Sequence, residues 1–380
     1  MTNLPPVLYR GSVKNVRGEV SAKSLVFEFS DRYSVFDWGE MPDQLNDKGL
    51  SLALMGKSFF QFLENPLNWK KLFSSKALSD AFSADYLKAL ENSAQYIEYC
   101  KNGLKHHAQH LTILEDRPIM TVQNIKVLRP AETNNRYDYS AYVSRPVETL
   151  VPLEIIFRLG LPQGNSLSKR LGEDLSKWRA FGFESIPEFG MLKTPAIDFS
   201  TKLEKGDRYL DYVEAQKIAG INDEEWINLQ QMTHLIALNL YNFHHELGLK
   251  LIDGKLEMAF VSGNESHRNF MLVDSIGIDE LRLHYKDKSF SKEFLRESYK
   301  DSAWYDALEK SKKESLISGV DFKTICLEKY HLAPEALSPK ILERAQSVYK
   351  SYANAVTQKV FGQKYFSEDF SLENYSQRYM

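Results

Sequence analysis

Short apolar runs alternate with polar residues over the first thirty positions, which is the spacing of β-strands. Residues 7–9 form the first run, a turn follows at Gly11, and a longer run covers residues 24–29. The pattern predicts a β-hairpin followed by another strand.

The spacing of apolar residues then changes to three and four positions. Over residues 50–73 and 80–105 this spacing predicts amphipathic helices that cover a sheet. Residues 119–128 and 147–161 are rich in β-branched residues and read as strands. The segment between them, residues 129–146, is polar and flanked by proline, and we interpret it as an inserted loop.

The second half of the chain carries helical patterns on either side of a pair of strands. Residues 223–249 have the apolar spacing of a long helix, and residues 339–362 show that spacing again. Between them, residues 250–261 and 269–276 read as two strands joined by a turn over residues 262–267.

Composition narrows the class of protein. The chain has 380 residues, 48 basic and 51 acidic side chains, a net charge of −3 and 43% hydrophobic residues. These values are ordinary for a soluble globular protein, and the length predicts two or three packed units. Because the charge is nearly balanced and no long basic block occurs, we do not expect nucleic acid as a partner.

Compartment and membrane association follow from the cysteines and from the apolar runs. Cys100 and Cys326 stand far apart without metal-ligand spacing, which argues against a disulfide scaffold or a zinc site and favours a cytoplasmic location. No run approaches eighteen apolar residues, and the N-terminus lacks the layout of a signal peptide. We therefore expect neither export nor a membrane partner.

Two early segments carry candidate chemistry. The hairpin combines Gly11 with Lys14, and this pair allows a close backbone approach and supplies a positive charge to a nucleotide phosphate. An ordinary turn explains the same two residues. Residues 30–37 follow a predicted strand with several charges, which either form a solvated turn with an Asp31–Arg32 surface pair or face a cleft.

A second candidate lies on the strand predicted over residues 147–161. Glu154 and Arg158 share one face of that strand and either pair with each other or serve a site. Glycines, a hydroxyl and two cations come next, a set that suits an anion such as phosphate. These residues are Gly160, Gly164, Ser166, Lys169 and Arg170.

The predicted strand pair brings carboxylates together. Asp253, Lys255 and Glu257 share one face of the first strand, and Asp274 lies on the second. Glu257 and Asp274, on neighbouring strands, would offer hard oxygen ligands to Mg²⁺. A structural ladder of ion pairs is the alternative interpretation.

In their order along the chain, these segments resemble phosphoribosylaminoimidazole-succinocarboxamide synthase, or SAICAR synthetase, a family of purine biosynthesis. The likeness runs from Leu8 to about Gly362. The segments that carry it are LYRGSVKNV, FSDRYSVFD with DKG, VPLEIIFR followed by GNSLSKR, TPAIDFSTKLEKGD, LIDGKLE and FMLVDSIGIDELR.

The resemblance implies an ATP-dependent ligase that joins L-aspartate to the carboxylate of CAIR, carboxyaminoimidazole ribonucleotide, giving SAICAR, ADP and phosphate. A carboxylate is a poor electrophile, so it would first be activated as an acyl phosphate. Phosphoryl transfer needs positioning and charge neutralisation rather than a protein nucleophile. The implied cofactors are ATP and Mg²⁺, the partners are these small molecules, and the chain is expected as a monomer or homodimer.

The resemblance also implies roles for individual residues. Catalytic roles are expected for Asp37, Asp253 and Lys255. The implied substrate-binding residues are Asp37, Arg158, Ser166, Arg170, Lys202 and Arg282. The implied nucleotide-binding residues are Gly11, Ser12, Lys14, Glu154 and Glu204. Glu257 and Asp274 are the implied Mg²⁺ ligands.

Several positions depart from the family pattern. Ser12 stands where the family hairpin has a lysine, Gln123 and Asn124 replace paired lysines, and Ser275 replaces an acidic residue. These changes lower the positive charge expected at the ATP site. Two alternatives therefore stay open, a ligase or kinase on the same scaffold with another acceptor and a non-catalytic nucleotide-binding protein.

For the fold we expect the α+β class, with the two-lobed SAICAR synthetase-like arrangement of mostly antiparallel sheets flanked by helices. Residues 1–118 are predicted as the N-terminal lobe with the nucleotide-binding hairpin. Residues 119–285 are predicted as the lobe that binds ATP and metal, and residues 286–380 as a helical C-terminal extension.

Overall fold

The structure, a computed structural model of the chain, describes residues 4–114, 117–134, 136–263 and 267–380. The strands are β1 (Val7–Arg10), β2 (Lys14–Arg17), β3 (Ser24–Phe29), β4 (Ala108–Leu114), β5 (Arg117–Gln123), β6 (Ala131–Thr133), β7 (Arg136–Asp138), β8 (Thr149–Leu150), β9 (Leu153–Leu161), β10 (Gly190–Thr201), β11 (Tyr209–Leu210), β12 (Leu249–Val261), β13 (Asn269–Val273), β14 (Leu281–Tyr285) and β15 (Lys288–Ser289). The helices are α1 (Lys48–Glu64), α2 (Pro66–Lys70), α3 (Lys76–Ala81), α4 (Ala84–Glu91), α5 (Ala94–Asn102), α6 (Ser140–Val143), α7 (Ser166–Leu171), α8 (Leu175–Ala180), α9 (Tyr212–Ala219), α10 (Asp223–His245), α11 (Glu293–Lys300), α12 (Ala303–Ser318), α13 (Phe322–Glu328), α14 (Pro339–Phe361) and α15 (Leu372–Tyr379), with a 3₁₀ helix at Leu72–Ser74.

Most of the element types predicted from apolar spacing are confirmed. The hairpin forms as β1 and β2, and the two long helical patterns form α10 and α14. The helical pattern of residues 50–73 gives the 17-residue α1 followed by the short α2, and that of residues 80–105 gives the short α4 and α5. Polar caps mark the starts of two of these short helices. Asn65 accepts a hydrogen bond from the amide of Leu67 at the start of α2, and Ser93 accepts one from Tyr96 at the start of α5. The turn predicted over residues 262–267 includes 264–266, which lie outside the described residues.

The chain divides into two compact units, each assembled from separate stretches of sequence. The first unit takes the described parts of residues 1–55, 110–122 and 289–380, and the second takes those of residues 56–109 and 123–288. The first unit therefore contains both the N-terminal strands and the C-terminal helices. The three consecutive regions expected from the sequence stay a prediction.

The first unit contains a five-stranded sheet in the order β1-β2-β3-β5-β4. Helix α14 supplies much of its core, since Tyr349 and Tyr352 are fully buried. The ammonium of Lys48 lies 5.2 Å from the centre of the Tyr349 ring. A buried lysine next to an aromatic face gains cation–π attraction that offsets part of its lost hydration.

The second unit contains an eight-stranded sheet whose main path is β11-β10-β9-β12-β14-β15, with β8 and β13 paired to β12. Helix α10 packs against β12 and β9. Because successive side chains of a strand point to opposite faces, Ile155, Phe157 and Leu159 share one face of β9 while Glu154 and Arg158 share the other. The second face is the one that carries charge.

The segment of residues 129–146, predicted as an inserted loop or excursion, contains regular structure. It forms the β6–β7 hairpin and helix α6 within the second unit. Two ion pairs attach it, with Lys205 Nζ lying 2.7 Å from Glu132 Oε2 and Arg145 Nη2 lying 2.8 Å from Glu225 Oε1. Its polar residues are thus used in contacts to neighbouring segments.

Among the described residues, no helix is long and apolar enough to cross a membrane.

Candidate functional site

A row of charges crosses three neighbouring strands of the second unit. Asp253 on β12 lies opposite Arg158 on β9 and, on its other side, opposite Arg282 on β14. The distance from Asp253 Oδ2 is 3.2 Å to Arg282 Nη1 and 4.0 Å to Arg158 Nη1. Strand register therefore places one carboxylate between two guanidinium groups.

Asp198 on β10 is the main partner of Arg158. Its Oδ2 accepts hydrogen bonds from Arg158 Nη2 at 2.7 Å and from Arg158 Nε at 3.2 Å. Arg170 Nη2 donates to the same oxygen. Asp198 is fully buried, with 0% of its surface exposed. Sequence reasoning did not single out Asp198, although a lone carboxylate within the otherwise uncharged run of residues 195–201 was a visible signal.

Ser166 and Tyr209 complete this group of side chains. Arg158 Nη2 donates to Ser166 Oγ at 3.1 Å, and the Tyr209 hydroxyl lies 3.3 Å from the same oxygen. The guanidinium of Arg170 stacks 3.9 Å from the centre of the Tyr209 ring. The resulting arginine cluster is defined by Arg158, Ser166, Arg170, Asp198, Tyr209, Asp253 and Arg282. Of the five residues predicted to suit an anion in this region, Ser166 and Arg170 belong to the cluster.

A second group of charges lies on the same face of this sheet, further along the strands from the arginine cluster. This lysine–glutamate cluster is defined by Glu154, Lys202, Lys255 and Glu257. Lys255 Nζ lies 2.7 Å from Glu154 Oε1. Lys202 Nζ lies 3.2 Å from that oxygen and 2.6 Å from Glu257 Oε1, so it bridges the two carboxylates. Glu154 and Arg158 thus pair with different partners and not with each other.

The charges of the lysine–glutamate cluster stabilise one another away from water. The side chains of Glu154 and Glu257 are only 7% and 10% exposed. Burial by itself lowers the pKa of the Lys202 ammonium, but the nearby charges of Glu257 and Glu154 outweigh it and raise that pKa. The pKa of Lys255 is raised in the same way, against burial, chiefly by Glu154. Both lysines are therefore cations at neutral pH.

Asp274 follows the last residue of β13. Glu257 lies opposite Val273, the residue before Asp274, and Asp274 adopts a left-handed φ of 66°. A carbonyl oxygen only accepts, so His107 Nε2, 2.8 Å from Asp274 O, is the donor there. This contact fixes the backbone of Asp274, whose side chain is the predicted metal ligand.

The donor chemistry of Glu257 and Asp274 fits Mg²⁺, which prefers oxygen ligands. Within the described ranges, no group of three or more His, Cys, Asp or Glu side chains forms a metal site. Mg²⁺ usually takes one or two carboxylates and completes its shell with water and substrate phosphates. Glu257 lies opposite Val273 and not opposite Asp274, so joint ligation of Mg²⁺ by these two carboxylates stays a prediction.

Glu204, a predicted nucleotide-binding residue, lies in a different group. Its carboxylate accepts hydrogen bonds from Arg208 Nη2 at 2.9 Å, from Arg208 Nε at 3.1 Å and from the Tyr139 hydroxyl at 3.1 Å. Because Tyr139 belongs to the segment of residues 129–146, that segment holds the loop that carries Lys202 and Glu204.

The predicted nucleotide hairpin belongs to the first unit, where its shape depends on Gly11. The Gly11 amide donates to Lys14 O at 2.9 Å, and a Cβ added at Gly11 would lie 2.9 Å from the same oxygen. Lys14 Nζ lies 4.6 Å from the Phe27 ring centre, and Ser12 is exposed. The tight turn therefore requires glycine for a steric reason.

The charges of residues 30–37 do not form the surface pair considered above. Arg32 is buried and donates to Gly11 O at 3.0 Å and to Asn15 Oδ1 at 2.7 Å. Asp31 instead accepts from the Gly49 amide at 2.9 Å. The alternative of an Asp31–Arg32 surface pair is wrong, because the two side chains contact different neighbours. Arg32 is a support of the hairpin that the sequence alone did not reveal.

Asp37 also lies in the first unit. Its backbone has a left-handed φ of 64°, its side chain is 85% exposed, and its Oδ2 lies 3.3 Å from Lys312 Nζ. An exposed pair of this kind contributes little to stability. Asp is one of the residues that adopt a left-handed φ most readily, and the predicted role of Asp37 at the substrate stays a prediction.

Comparison with known proteins identifies the family. The family model described as SAICAR synthetase matches residues 7–311. A relative from Archaeoglobus fulgidus, named a putative phosphoribosylaminoimidazole-succinocarboxamide synthase, is 32% identical over 343 residues, which cover 90% of this chain and 88% of the relative. The chain belongs to the SAICAR synthetase family.

Other members of the SAICAR synthetase family agree in length and fold. The phosphoribosylaminoimidazole-succinocarboxamide synthase of Thermoplasma acidophilum is 25% identical, over 82% of this chain and 88% of that protein. A solved SAICAR synthase structure matches with a TM-score of 0.54, and that of the Saccharomyces cerevisiae enzyme, complexed with SAICAR, with 0.51. Both are 18% identical and cover 97% of this chain and 98% of theirs. The predicted family and the α+β class with a helical C-terminal region are confirmed.

Members of the SAICAR synthetase family are ATP-dependent ligases of purine biosynthesis, and this chain is an enzyme of that family.

Proposed function

We propose that the chain is a phosphoribosylaminoimidazole-succinocarboxamide synthase in the full sense. It condenses CAIR with L-aspartate at the expense of ATP and releases SAICAR, ADP and phosphate. The observation that carries the proposal is the presence of the arginine cluster and the lysine–glutamate cluster on one face of one sheet. Family membership supplies the reaction class, and these two clusters supply the chemistry that the reaction needs.

The arginine cluster suits an anionic ribonucleotide. Guanidinium groups bind phosphate and carboxylate through paired N–H donors, and the Ser166 hydroxyl adds a further polar contact. Arg282 is the most exposed of the three arginines, with 38% of its side chain accessible, so it is the one most open to a ligand. We assign the ribose phosphate or the imidazole carboxylate of CAIR to this cluster.

The lysine–glutamate cluster suits the transfer of the phosphoryl group. Lys202 and Lys255 supply cations, and Glu257 with Asp274 would hold Mg²⁺. When bound, Mg²⁺ neutralises triphosphate charge and orients the phosphates. In the same proposal, Gly11, Ser12 and Lys14 contact the nucleotide, and Glu154 orients the two lysines. Asp37 and Asp253 face the substrate. Glu204 contributes to nucleotide binding by positioning its loop.

The reaction proceeds in two transfers. A carboxylate oxygen of CAIR forms a bond to the γ-phosphorus of ATP while the bond from that phosphorus to the bridging oxygen breaks, which releases ADP. The amine of aspartate then attacks the acyl carbon, phosphate leaves with its bonding electron pair, and the amine loses a proton. Neither step needs a serine or cysteine nucleophile, so cations placed around the transferred group are the main requirement.

The test is ADP release from the purified chain with Mg²⁺ and ATP, with CAIR and L-aspartate each supplied or withheld. We expect turnover only when both are present. The Glu257→Gln variant, purified in the same way, controls for a contaminating ATPase, and L-asparagine in place of L-aspartate tests the choice of amine.

The other outcomes separate the alternatives. ADP release that does not depend on CAIR would support a ligase or kinase with a different acceptor. This alternative is tested because Ser12, Gln123 and Asn124 stand where the family pattern has lysines. Nucleotide binding without turnover under any condition would support a non-catalytic protein.

A further inference from the structure

Lys202 differs from Lys255 in how it is held. Lys255 lies within β12 and pairs with Glu154. Lys202 is the first residue after β10, where its amide donates a hydrogen bond to Pro152 O at 3.1 Å. Its ammonium also lies 3.2 Å from Glu154 Oε1. The side chain ends on Glu257, at 2.6 Å. A lysine stem of four carbons beyond the end of a strand reorients with little change in the backbone.

The partner of Lys202 is the carboxylate to which the proposed function assigns Mg²⁺, and this inference rests on that assignment. An ammonium and a divalent cation on one carboxylate repel each other, and the repulsion is poorly screened at a buried position. Glu154 retains Lys255 as a partner if Lys202 moves away. The arrangement therefore allows Lys202 to leave Glu257 without leaving Glu154 unpaired.

We propose that Lys202 is a displaceable counter-ion of the metal site. In the nucleotide-free protein it neutralises Glu257 and keeps the divalent cation weakly bound. When the metal arrives with ATP, Lys202 exchanges its contact with Glu257 for one with the phosphates. The protein thereby favours the metal–nucleotide complex over the free metal ion.

The consequence is a change in metal affinity that can be measured without turnover. Removing the ammonium takes one positive charge away from two buried carboxylates, so the nucleotide-free site becomes more negative. We expect Lys202→Met to bind Mn²⁺, used as a probe for Mg²⁺, about tenfold more tightly than the unchanged protein, within the roughly 5- to 150-fold range of coupled binding events. Its affinity for Mg²⁺–ADP should fall, because a phosphate contact is lost.

The experiment titrates Mn²⁺ into the full chain without nucleotide and follows free Mn²⁺ by electron paramagnetic resonance. Lys205→Met is the matched control, because Lys205 is exposed, pairs with Glu132 and lies in the same loop. Lys205→Met removes the same single positive charge as Lys202→Met. If Lys205→Met bound Mn²⁺ as tightly as Lys202→Met does, the loss of overall positive charge would explain the effect, and the proposal would be overturned. Unchanged or weaker Mn²⁺ binding in Lys202→Met would overturn it as well.

Two further measurements keep the outcome decisive. If Lys202→Met does not fold, as judged by circular dichroism, Lys202→Gln is used in its place. Adding Glu257→Gln to the lysine variant should abolish the tightening, and persistence of the tightening would show that the metal binds elsewhere. None of these titrations contains CAIR or aspartate, so a failure of the proposed ligase reaction in the ADP assay is detected separately.

Discussion

Asp198 provides the sharpest test of how the arginine cluster is held together. Its carboxylate is fully buried and binds two guanidinium groups, those of Arg158 and Arg170. Asp198→Asn preserves the size of the side chain and removes its charge. The new amide nitrogen is a donor, and it would face guanidinium N–H groups that are also donors.

The expected cost follows from the burial of Arg158. Its side chain is 4% exposed, so little water is available to replace the lost carboxylate. Breaking a buried pair by removing one partner costs about 3–5 kcal/mol. Asp253, 4.0 Å from Arg158, still compensates part of the charge, so the lower end of the range, about 3 kcal/mol, is expected. For a unit of about 220 residues this corresponds to a loss of roughly 6–12 °C in melting temperature.

Thermal unfolding followed by circular dichroism measures this loss. Asp85→Asn is the control, since it makes the same chemical change at an exposed position in the first turn of α4, where an acidic side chain contributes at most about 1 kcal/mol. If Asp198→Asn melts within a degree or two of Asp85→Asn, the buried carboxylate does not hold the arginines and the reasoning is refuted.

Three further predictions concern the proposed reaction. Arg282→Ala should raise the KM for the ribonucleotide about tenfold while sparing ATP binding, because one charge-assisted contact at a partly exposed site is lost; steady-state kinetics with an unchanged ribonucleotide KM would remove that role. Asp274→Asn should lower turnover about 10²- to 10³-fold at ordinary Mg²⁺, since triphosphate charge is left uncompensated, and wild-type rates would contradict the metal assignment. Gly11→Ala should raise the KM for ATP several-fold, because the added Cβ lies 2.9 Å from a carbonyl oxygen, whereas Gly206→Ala, where a Cβ meets nothing within 4 Å, serves as the control. Equal KM values for these two variants would argue against a role of the hairpin turn in binding.

Alternation along single strands was readable from the sequence. The spacing of Asp253, Lys255 and Glu257 placed all three on one face of a strand, and the structure confirms that their side chains take part in the two charged clusters. A period of two depends on local residues, so no knowledge of neighbouring strands was needed.

The sequence did not reveal which side chains pair across neighbouring strands. Arg158 and Asp198 are forty positions apart, and their contact depends on the register of β9 against β10. Glu154 was therefore considered a partner for Arg158, because both lay on the same short segment. Similarly, Arg32 was considered a partner of Asp31, although its contacts are on the hairpin more than fifteen residues earlier. Charged neighbours in sequence are poor guides when a sheet offers closer partners in space.

The meeting of Arg158 and Arg170 on a single oxygen of Asp198 has a consequence for selectivity. Two cations tied to one buried point are held at a set separation before any ligand arrives. Such preorganisation removes much of the entropy cost of ordering side chains on binding. If the cluster binds an anion as proposed, moving the two guanidinium groups apart to fit a larger anion would break a contact with Asp198. The proposed site would then select its anion by size as well as by charge.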